Sequence, residues 1–362
     1  MHIAIIQDYL RNGGTERQTL FLAEFFQRLG WRVDIVVFRP GGRLEREAEA
    51  RGLAVQVLQR FDTGIAFYAP RLNRTVRELG PEIVLCMGRT ANCYSGLLQR
   101  IFPDTTVVGT VRTGKMLFPL HAWSLPRVRA VLVNSSWWKR RLVKKGYSSR
   151  RIHVVRNSML LESNEAERAA WRREWREREG VEPDECVFLN VATFRPGKRH
   201  ADLLERFAAF SRIAKGRPWR LWLVGEGSEL RRCRDRCAVL GLSGQVRFWG
   251  YRADPRPLYS AADVAVTVSM EDSLPNFLVE AQAAGLPSVA YDYRGVRECC
   301  SPGETGLVIP AGDGEGFVVA LKRILEHSRM RRRMAIKAPA FARTRFSPEP
   351  QAERIRRFLS RL

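Results

Sequence analysis

The sequence predicts an α/β protein of two doubly wound domains, and three observations predict it. Short apolar, β-branched runs alternate with helical stretches through most of the chain, the pattern of parallel strands joined by crossover helices. Several of those runs are apolar at nearly every position, as strands covered on both faces are. The composition also shifts near residues 162–184, and 362 residues are enough for two cores of ordinary size.

In order, the first domain (1–160) carries expected strands at His2–Gln7, Arg32–Phe38, Glu82–Met87, Thr106–Val111 and Arg129–Asn134. A linker is expected at 161–184, because Asn164–Gly180 is dense in Glu, Arg and Trp and reads as an exposed helix. The second domain (185–345) carries Cys186–Ala192, Trp219–Val224, Gln245–Trp249, Val264–Val268, Pro287–Tyr291 and Gly306–Ile309. Helices such as Glu16–Leu29 and Ala201–Ala214 fall between strands. The tail, 346–362, reads as an amphipathic helix with Ile355, Phe358 and Leu359 on one face, suited to packing back on the first domain. Ligands of such sheets bind beyond the carboxyl ends of the strands, so the two domains are expected to face a central cleft.

Composition narrows the function classes. No run approaches the roughly 20 apolar residues that span a bilayer, and Gln7 and Asp8 interrupt the apolar start before a signal-peptide core forms. The seven cysteines form no CxxC pair and are expected as reduced thiols in a cytoplasmic protein. The five histidines are not spaced with them as a ligand set, so no metal or other cofactor is expected. The net charge of +23 calls for anionic partners: nucleic acid, acidic lipid head groups or phosphorylated substrates. No DNA- or RNA-binding module is recognisable, and no nucleic-acid partner is expected.

Four segments carry chemistry. After the strand ending at Val268, a polar turn holds Asp272, Ser273, Leu274 and Pro275, and a helix follows from about Pro275 to Ala284 with Asn276 in its first turn. Backbone N–H groups at such a helix start suit oxygen-rich ligands. A carboxylate accepts two hydrogen bonds from a vicinal diol, so Glu280 suits a ribose and Asp272 sugar hydroxyls. The bland alternative is an Asp favouring the helix dipole and a solvated Glu280. Upstream, Arg195 and Lys198 lie on a Gly/Pro loop before the helix Ala201–Ala214. Together they can clamp a diphosphate, Arg as a planar fork and Lys as a point charge. After the first strand, Gly13 and Gly14 let the backbone approach a bound group closely. Finally, Trp137, Trp138, Lys139, Arg140, Arg141, Lys144 and Lys145 form a Ser-capped aromatic and basic helix, suited to an anionic membrane surface or to a packed aromatic with a solvated basic face.

The segment Ser269–Pro287 resembles the E-x7-E region of family 4 retaining glycosyltransferases. The likeness continues through Gly285-Leu286-Pro287, Arg294–Glu298 and Gly303–Asp313. It implies the GT-B fold of two Rossmann-like domains, and sugar transfer from a nucleoside-diphosphate sugar to an acceptor hydroxyl with retention at the anomeric carbon. It also implies no bound metal, a glycan or lipid-linked glycan acceptor, and a place in cell-surface polysaccharide, lipopolysaccharide or glycolipid synthesis, at the inner face of the membrane. By this likeness Arg195 and Lys198 stabilise the departing diphosphate, Asp272 contacts the sugar, and Glu280 holds the ribose. Gly225, in Leu223–Gly227, and Tyr251, after Gly250, fall near the nucleotide, and Gly13-Gly14 faces the donor phosphate.

Two departures stand out. Asp272 replaces the first glutamate of the pattern, with Glu271 beside it. Arg112 stands where many members have a histidine, with His121 nearby, and either is a candidate for an acceptor or a phosphate. Two competing readings remain at this stage: a non-catalytic nucleotide- or glycan-binding protein on the same fold, and a nucleotide-sugar epimerase.

Overall fold

The computed structural model describes residues 1–11, 13–159, 163–214 and 216–362. Asn12 of the glycine loop and the expected boundary at 160/161 therefore lie outside the described residues. The chain divides into two compact units, Met1–Ser158 with Pro348–Leu362, and Met159–Ser347.

The first unit holds a seven-stranded parallel sheet. Its strands are β1 (His2–Gln7), β2 (Arg32–Val37), β3 (Ala54–Val57), β4 (Ile83–Cys86), β5 (Thr106–Val111), β6 (Ala130–Val133) and β7 (Ile152–Val154). Their order across the sheet is β3-β2-β1-β4-β5-β6-β7. Side chains alternate between faces along a strand. Ile3 and Ile5 accordingly join one buried cluster, while Ala4 and Ile6 join another. Both faces are covered, which is why these strands read as unbroken apolar runs.

The second unit repeats the plan with β8 (Cys186–Val191), β9 (Trp219–Val224), β10 (Val246–Gly250), β11 (Val264–Thr267), β12 (Ser288–Asp292) and β13 (Gly306–Pro310). The order is β10-β9-β8-β11-β12-β13, all parallel. Phe188 faces one core, and Val187 and Leu189 the other. In each sheet the strand order reverses once, between β1 and β4 and between β8 and β11. Connections leave in opposite directions there, which opens a crevice at the carboxyl edge.

The segment expected as a linker is a docked part of the second unit. The helix Glu165–Arg178 opens with a capping box between Asn164 and Glu167. The side chains of Arg172 and Arg176 then converge on Asp263 at 2.6 and 3.0 Å, and Asp263 also accepts the Val187 N–H at 2.9 Å. Trp175 packs on Trp249 with ring centroids 5.3 Å apart. One face, Arg172, Trp175 and Arg176, makes these contacts, while no residue of the helix is fully buried, as expected of an exposed helix.

The C-terminal helix, Pro348–Leu359, packs on the helix Gly14–Arg28 of the first unit. Ile355 and Leu359 enter the core that contains Ile3 and Leu20, and Phe358 rests on the His153 ring. All seven cysteines are buried thiols, and none is in a disulfide.

Candidate functional site

In the second unit the sequence places its cations and acids on the two loops that flank the sheet's switch point. The loop after β8 passes through a 3-10 turn at Pro196–Lys198, and Arg199, in the left-handed conformation at φ 57°, turns the chain into the helix His200–Ile213. The loop after β11 carries Ser269 to Pro275 and leads into the helix Asn276–Ala283. Backbone bonds stitch the loops together, with the Met270 N–H donating to the Gly197 carbonyl at 3.1 Å.

Lys198 and Arg195 on the first loop each meet an acid on the second. The Lys198 ammonium lies 2.7 and 2.6 Å from the two Asp272 oxygens, and the Ser269 hydroxyl donates to Asp272 at 2.8 Å. Arg195 pairs with Glu271 at 2.9 Å. Burial opposes ionisation of Asp272. The Lys198 charge and its hydrogen bonds, with Ser269 and Arg195 in support, overcome that and hold the carboxyl below its ordinary value. Arg195 keeps 40% of its side chain exposed and Lys198 15%, so an arriving anion can reach the Arg195 fork directly.

Glu280 sits half-buried, one turn from the end of its helix, and the Tyr259 hydroxyl donates to its Oε2 at 2.7 Å. Tyr259 is buried against Phe277, which fixes the carboxylate from below. Ser273 and Leu274 are buried, and Pro275 caps the helix that Asn276 begins. Gly225 and Gly227 have φ of 140° and 150°, which side-chain-bearing residues rarely adopt. A Cβ on either would collide with the carbonyl oxygen of Ala192 or Phe194, so these glycines let the loops after β8 and β9 close up. Tyr251 follows β10 at the same edge and is half-buried.

In the first unit, Gly13 and Gly14 start the helix Gly14–Arg28. The space a Gly13 side chain would need is filled by the Glu16 carboxylate. Burial first, and then the Asp8 carboxylate, push the Glu16 pKa up. Asp8 itself spans two strands, accepting the N–H groups of Thr90 and Ala91 at 2.9 and 2.6 Å at the start of the helix Ala91–Ile101. Arg112 follows β5 and is half-buried, its Nη1 shielded and without a hydrogen-bond partner. Burial alone lowers its pKa to about 10.

Two expectations are corrected here. His121 is no open ligand-facing group: it is 1% exposed in the short helix Pro119–Ser124, which packs on Ala91–Ile101, and burial lowers its pKa to about 4. Trp138 does not reach a surface either. It is buried, and its indole N–H donates to the Thr113 carbonyl at 2.8 Å. Trp137 packs edge-on against it at half exposure, leaving Arg140, Arg141, Lys144 and Lys145 on the solvent side and Lys139 half-buried.

Reasoning from sequence missed Tyr259 and Ser269, which hold the two acids. Ser269 opens the segment that resembles the donor site, but neither residue was read as a contact, and their role is visible only through the fold. It also missed His200, stacked on Phe194 at 4.0 Å, with burial lowering its pKa to about 3. Among the described residues no group of three His, Cys, Asp or Glu side chains is arranged to hold a metal ion, and no helix is long and apolar enough to cross a membrane.

Comparison with known proteins covers both units. The model of Glycosyltransferase Family 4 matches residues 12–161, and that of Glycosyl transferases group 1 matches 172–341. The lipopolysaccharide core biosynthesis glycosyltransferase LpsE of Rhizobium meliloti (strain 1021) is 36% identical over 152 residues. That match spans 42% of this chain and 43% of LpsE, less than half of either. LpsD of the same organism, also a lipopolysaccharide core biosynthesis glycosyltransferase, is 24% identical over 337 residues, 92% of this chain and 91% of that one. Among solved structures, Anabaena Alr3699/HepE in complex with UDP matches with a TM-score of 0.85 at 20% identity, over 100% of both chains.

Proposed function

This chain belongs to glycosyltransferase family 4, and on that premise we propose that it moves a sugar from a nucleoside-diphosphate donor to a glycan or lipid-linked glycan hydroxyl with retention. The observation that carries the reading is the pairing of Lys198 and Arg195 with Asp272 and Glu271 across one switch-point crevice. Fixed cations at the place where a leaving diphosphate gathers charge lower the barrier most. In this reading the diphosphate takes Lys198 from Asp272. The freed carboxylate, with the N–H groups of Ser273 to Asn276, then meets sugar hydroxyls. Glu280, steadied by Tyr259, holds the ribose, while Gly225 and Tyr251 border the nucleotide. Gly13 and Gly14 line the acceptor-side unit.

Several supports lie outside the site. HepE was solved with UDP, which makes a uridine nucleotide the first donor class to try. LpsE and LpsD act in lipopolysaccharide core biosynthesis, which favours a cell-surface polysaccharide or lipopolysaccharide acceptor here. No metal enters the reading, because two protein cations already stand at the crevice. The deciding experiment is release of UDP from UDP-sugars with lipid-linked and core oligosaccharide acceptors, with and without EDTA. Acceptor-dependent release that survives EDTA supports the reading. Release without acceptor as an epimerised nucleotide sugar, or binding without turnover, would replace it.

We also propose a peripheral place at the inner, anionic face of a membrane. From Thr105 to Met159 the chain has no Asp or Glu, while Lys and Arg recur throughout. Beside them the first unit exposes Phe61, Ile65 and Met116, at 72%, 59% and 82%, and the Phe67–Phe118 ring contact joins the two segments that carry them. Apolar side chains within a basic surface suit acidic lipid head groups. Sedimentation with phosphatidylglycerol vesicles but not with phosphatidylcholine vesicles is the expected result, and equal partition into both would remove the proposal.

A further inference from the structure

Arg112 is built into the first unit unlike the arginines that tie the second unit together. Arg220 donates from Nη1 to the Glu179 carbonyl at 2.6 Å and pairs with Glu185, while Arg172 and Arg176 share Asp263. Arg112 Nη1 is shielded from solvent and bonded to none of the described residues. No acid acts on it: burial by itself accounts for its lowered pKa. A half-buried cation with one shielded nitrogen left so is costly, and a ligand anion would complete it.

The surroundings explain why the chain itself cannot complete it. β5, β6 and β7, with everything that joins them, lie in the stretch from Thr105 to Met159 that lacks Asp and Glu. The two acids near the strand ends are already engaged, Asp8 by the N–H groups of Thr90 and Ala91 and Glu16 at the start of its own helix. Arg112 stands at the carboxyl edge of a doubly wound sheet, where ligands of such sheets bind. Two-residue alternation puts it on the face carrying Val108, and it puts Gln7 on the same face with Ile3 and Ile5. Gln7 Oε1 is likewise buried without a partner. β1 and β5 are two strand spacings apart, roughly 10 Å, a distance that a sugar ring and two side chains can span. One edge thus offers a cation for an oxyanion and a carbonyl oxygen for a hydroxyl.

We propose that Arg112 receives an oxyanion, carboxylate or phosphate, on the sugar that the first unit binds, with Gln7 Oε1 accepting from a hydroxyl of that sugar. The proposal rests on the sugar-transfer reading and adds the chemical class of the substrate: an acidic or phosphorylated sugar. A neutral sugar would leave the guanidinium unsatisfied and bind more weakly.

The test titrates methyl β-D-glucuronide, glucose 6-phosphate and methyl β-D-glucoside into the whole protein, as wild type, Arg112→Gln and Arg112→Lys. Ligand-observed NMR gives the affinities. At least one anionic probe is expected to bind about tenfold or more tightly than the neutral one, because hydrogen bonds to charged groups are the stronger kind. Arg112→Gln should abolish that preference, and Arg112→Lys should keep part of it. Whichever anionic probe wins identifies carboxylate or phosphate as the source. No preference in the wild type, or an unchanged preference in Arg112→Gln, overturns the proposal.

The unfolding midpoint of Arg112→Gln separates function from structure. Removing an unsatisfied buried cation should leave the midpoint equal or higher. A lower midpoint with the probe preference intact would make Arg112 structural and overturn the proposal. UDP affinity measured alongside in Lys198→Ala reports on the donor reading alone, so failure of one reading is distinguishable from failure of the other.

Discussion

Lys198 and Asp272 occupy each other: the ammonium lies within 2.7 Å of both carboxylate oxygens, and one of those oxygens also accepts from Ser269. On the proposed reading the site therefore holds its phosphate-binding cation on an internal anion, which an incoming diphosphate must displace. Asp272→Asn should strengthen UDP binding severalfold by removing that competitor while slowing transfer. Lys198→Ala should weaken UDP binding and slow transfer by roughly 10²–10³-fold. Calorimetry of UDP binding beside initial rates checks both, and weaker UDP binding in Asp272→Asn would show that the carboxylate positions the lysine without competing.

Glu280 depends on Tyr259 in a different way. The buried hydroxyl donates to Oε2 at 2.7 Å and steadies the carboxylate. Tyr259→Phe keeps the ring and removes the hydroxyl that makes that bond. Donor affinity should fall by about 0.5–1.5 kcal/mol, and by about 1–3 kcal/mol in Glu280→Ala, with kcat nearly unchanged in the first. An equal fall in kcat and affinity in Tyr259→Phe would mean that the tyrosine acts on the reacting atoms.

Acid should loosen the fold through two histidines. Burial lowers His121 to about 4 and His200 to about 3, from 6.5 in the unfolded chain. Their contribution is complete above pH 6.5. As the pH falls, the unfolded chain takes protons that the fold refuses, and stability is lost until the folded values are reached. At about 1.4 kcal/mol per pH unit, each histidine costs roughly 2 kcal/mol by pH 5. Urea titrations at pH 7.5 and 5 should show the gap narrowing by about that much in His121→Leu and again in His200→Leu. Parallel losses in the variants and the wild type would reject the assignment.

Legibility in the sequence followed burial. β1, β5 and β9 were expected with the bounds they have, because central parallel strands are apolar on both faces and end where the apolar run ends. β3 and β7 escaped notice. They are edge strands of four and three residues, and Ala54–Val57 carries a half-buried Gln56 between partly exposed neighbours. The order Arg195, Lys198, Asp272, Glu280 was legible as a motif, but not the pairing inside it. That both oxygens of Asp272 are already bonded depends on a loop 74 residues away, a relation that local pattern does not carry. Trp138 misled for a similar reason. A Trp-Trp pair on a basic helix looks the same whether its rings meet lipid or the strand edge at Thr113.

The helix Glu165–Arg178 owes its place to Asp263, and that gives the last prediction. Asp263 accepts from Arg172, Arg176 and the Val187 N–H, with its side chain 14% exposed. Asp263→Ala removes the charged acceptor of two guanidinium groups and a strand N–H, while Arg172 keeps the Ser260, Ala261 and Ala262 carbonyls and Arg176 those of Ala261, Glu182 and Glu185. Arg176 is nearly as buried as Asp263, whereas Arg172 keeps 41% exposure and can turn to water. Breaking a buried pair costs about 3–5 kcal/mol, and the exposure of Arg172 places this site near the low end. Asp263→Asn, which keeps an acceptor oxygen for Val187, should cost less. Unfolding by urea, read separately from the Trp175 and Trp249 fluorescence and from far-ultraviolet dichroism, measures both. If the helix is held by Asp263, Asp263→Ala shifts the fluorescence transition to lower urea than the dichroism transition. Coincident transitions with under about 1 kcal/mol lost would mean that the Trp175–Trp249 contact and the arginine–carbonyl bonds hold the helix without Asp263.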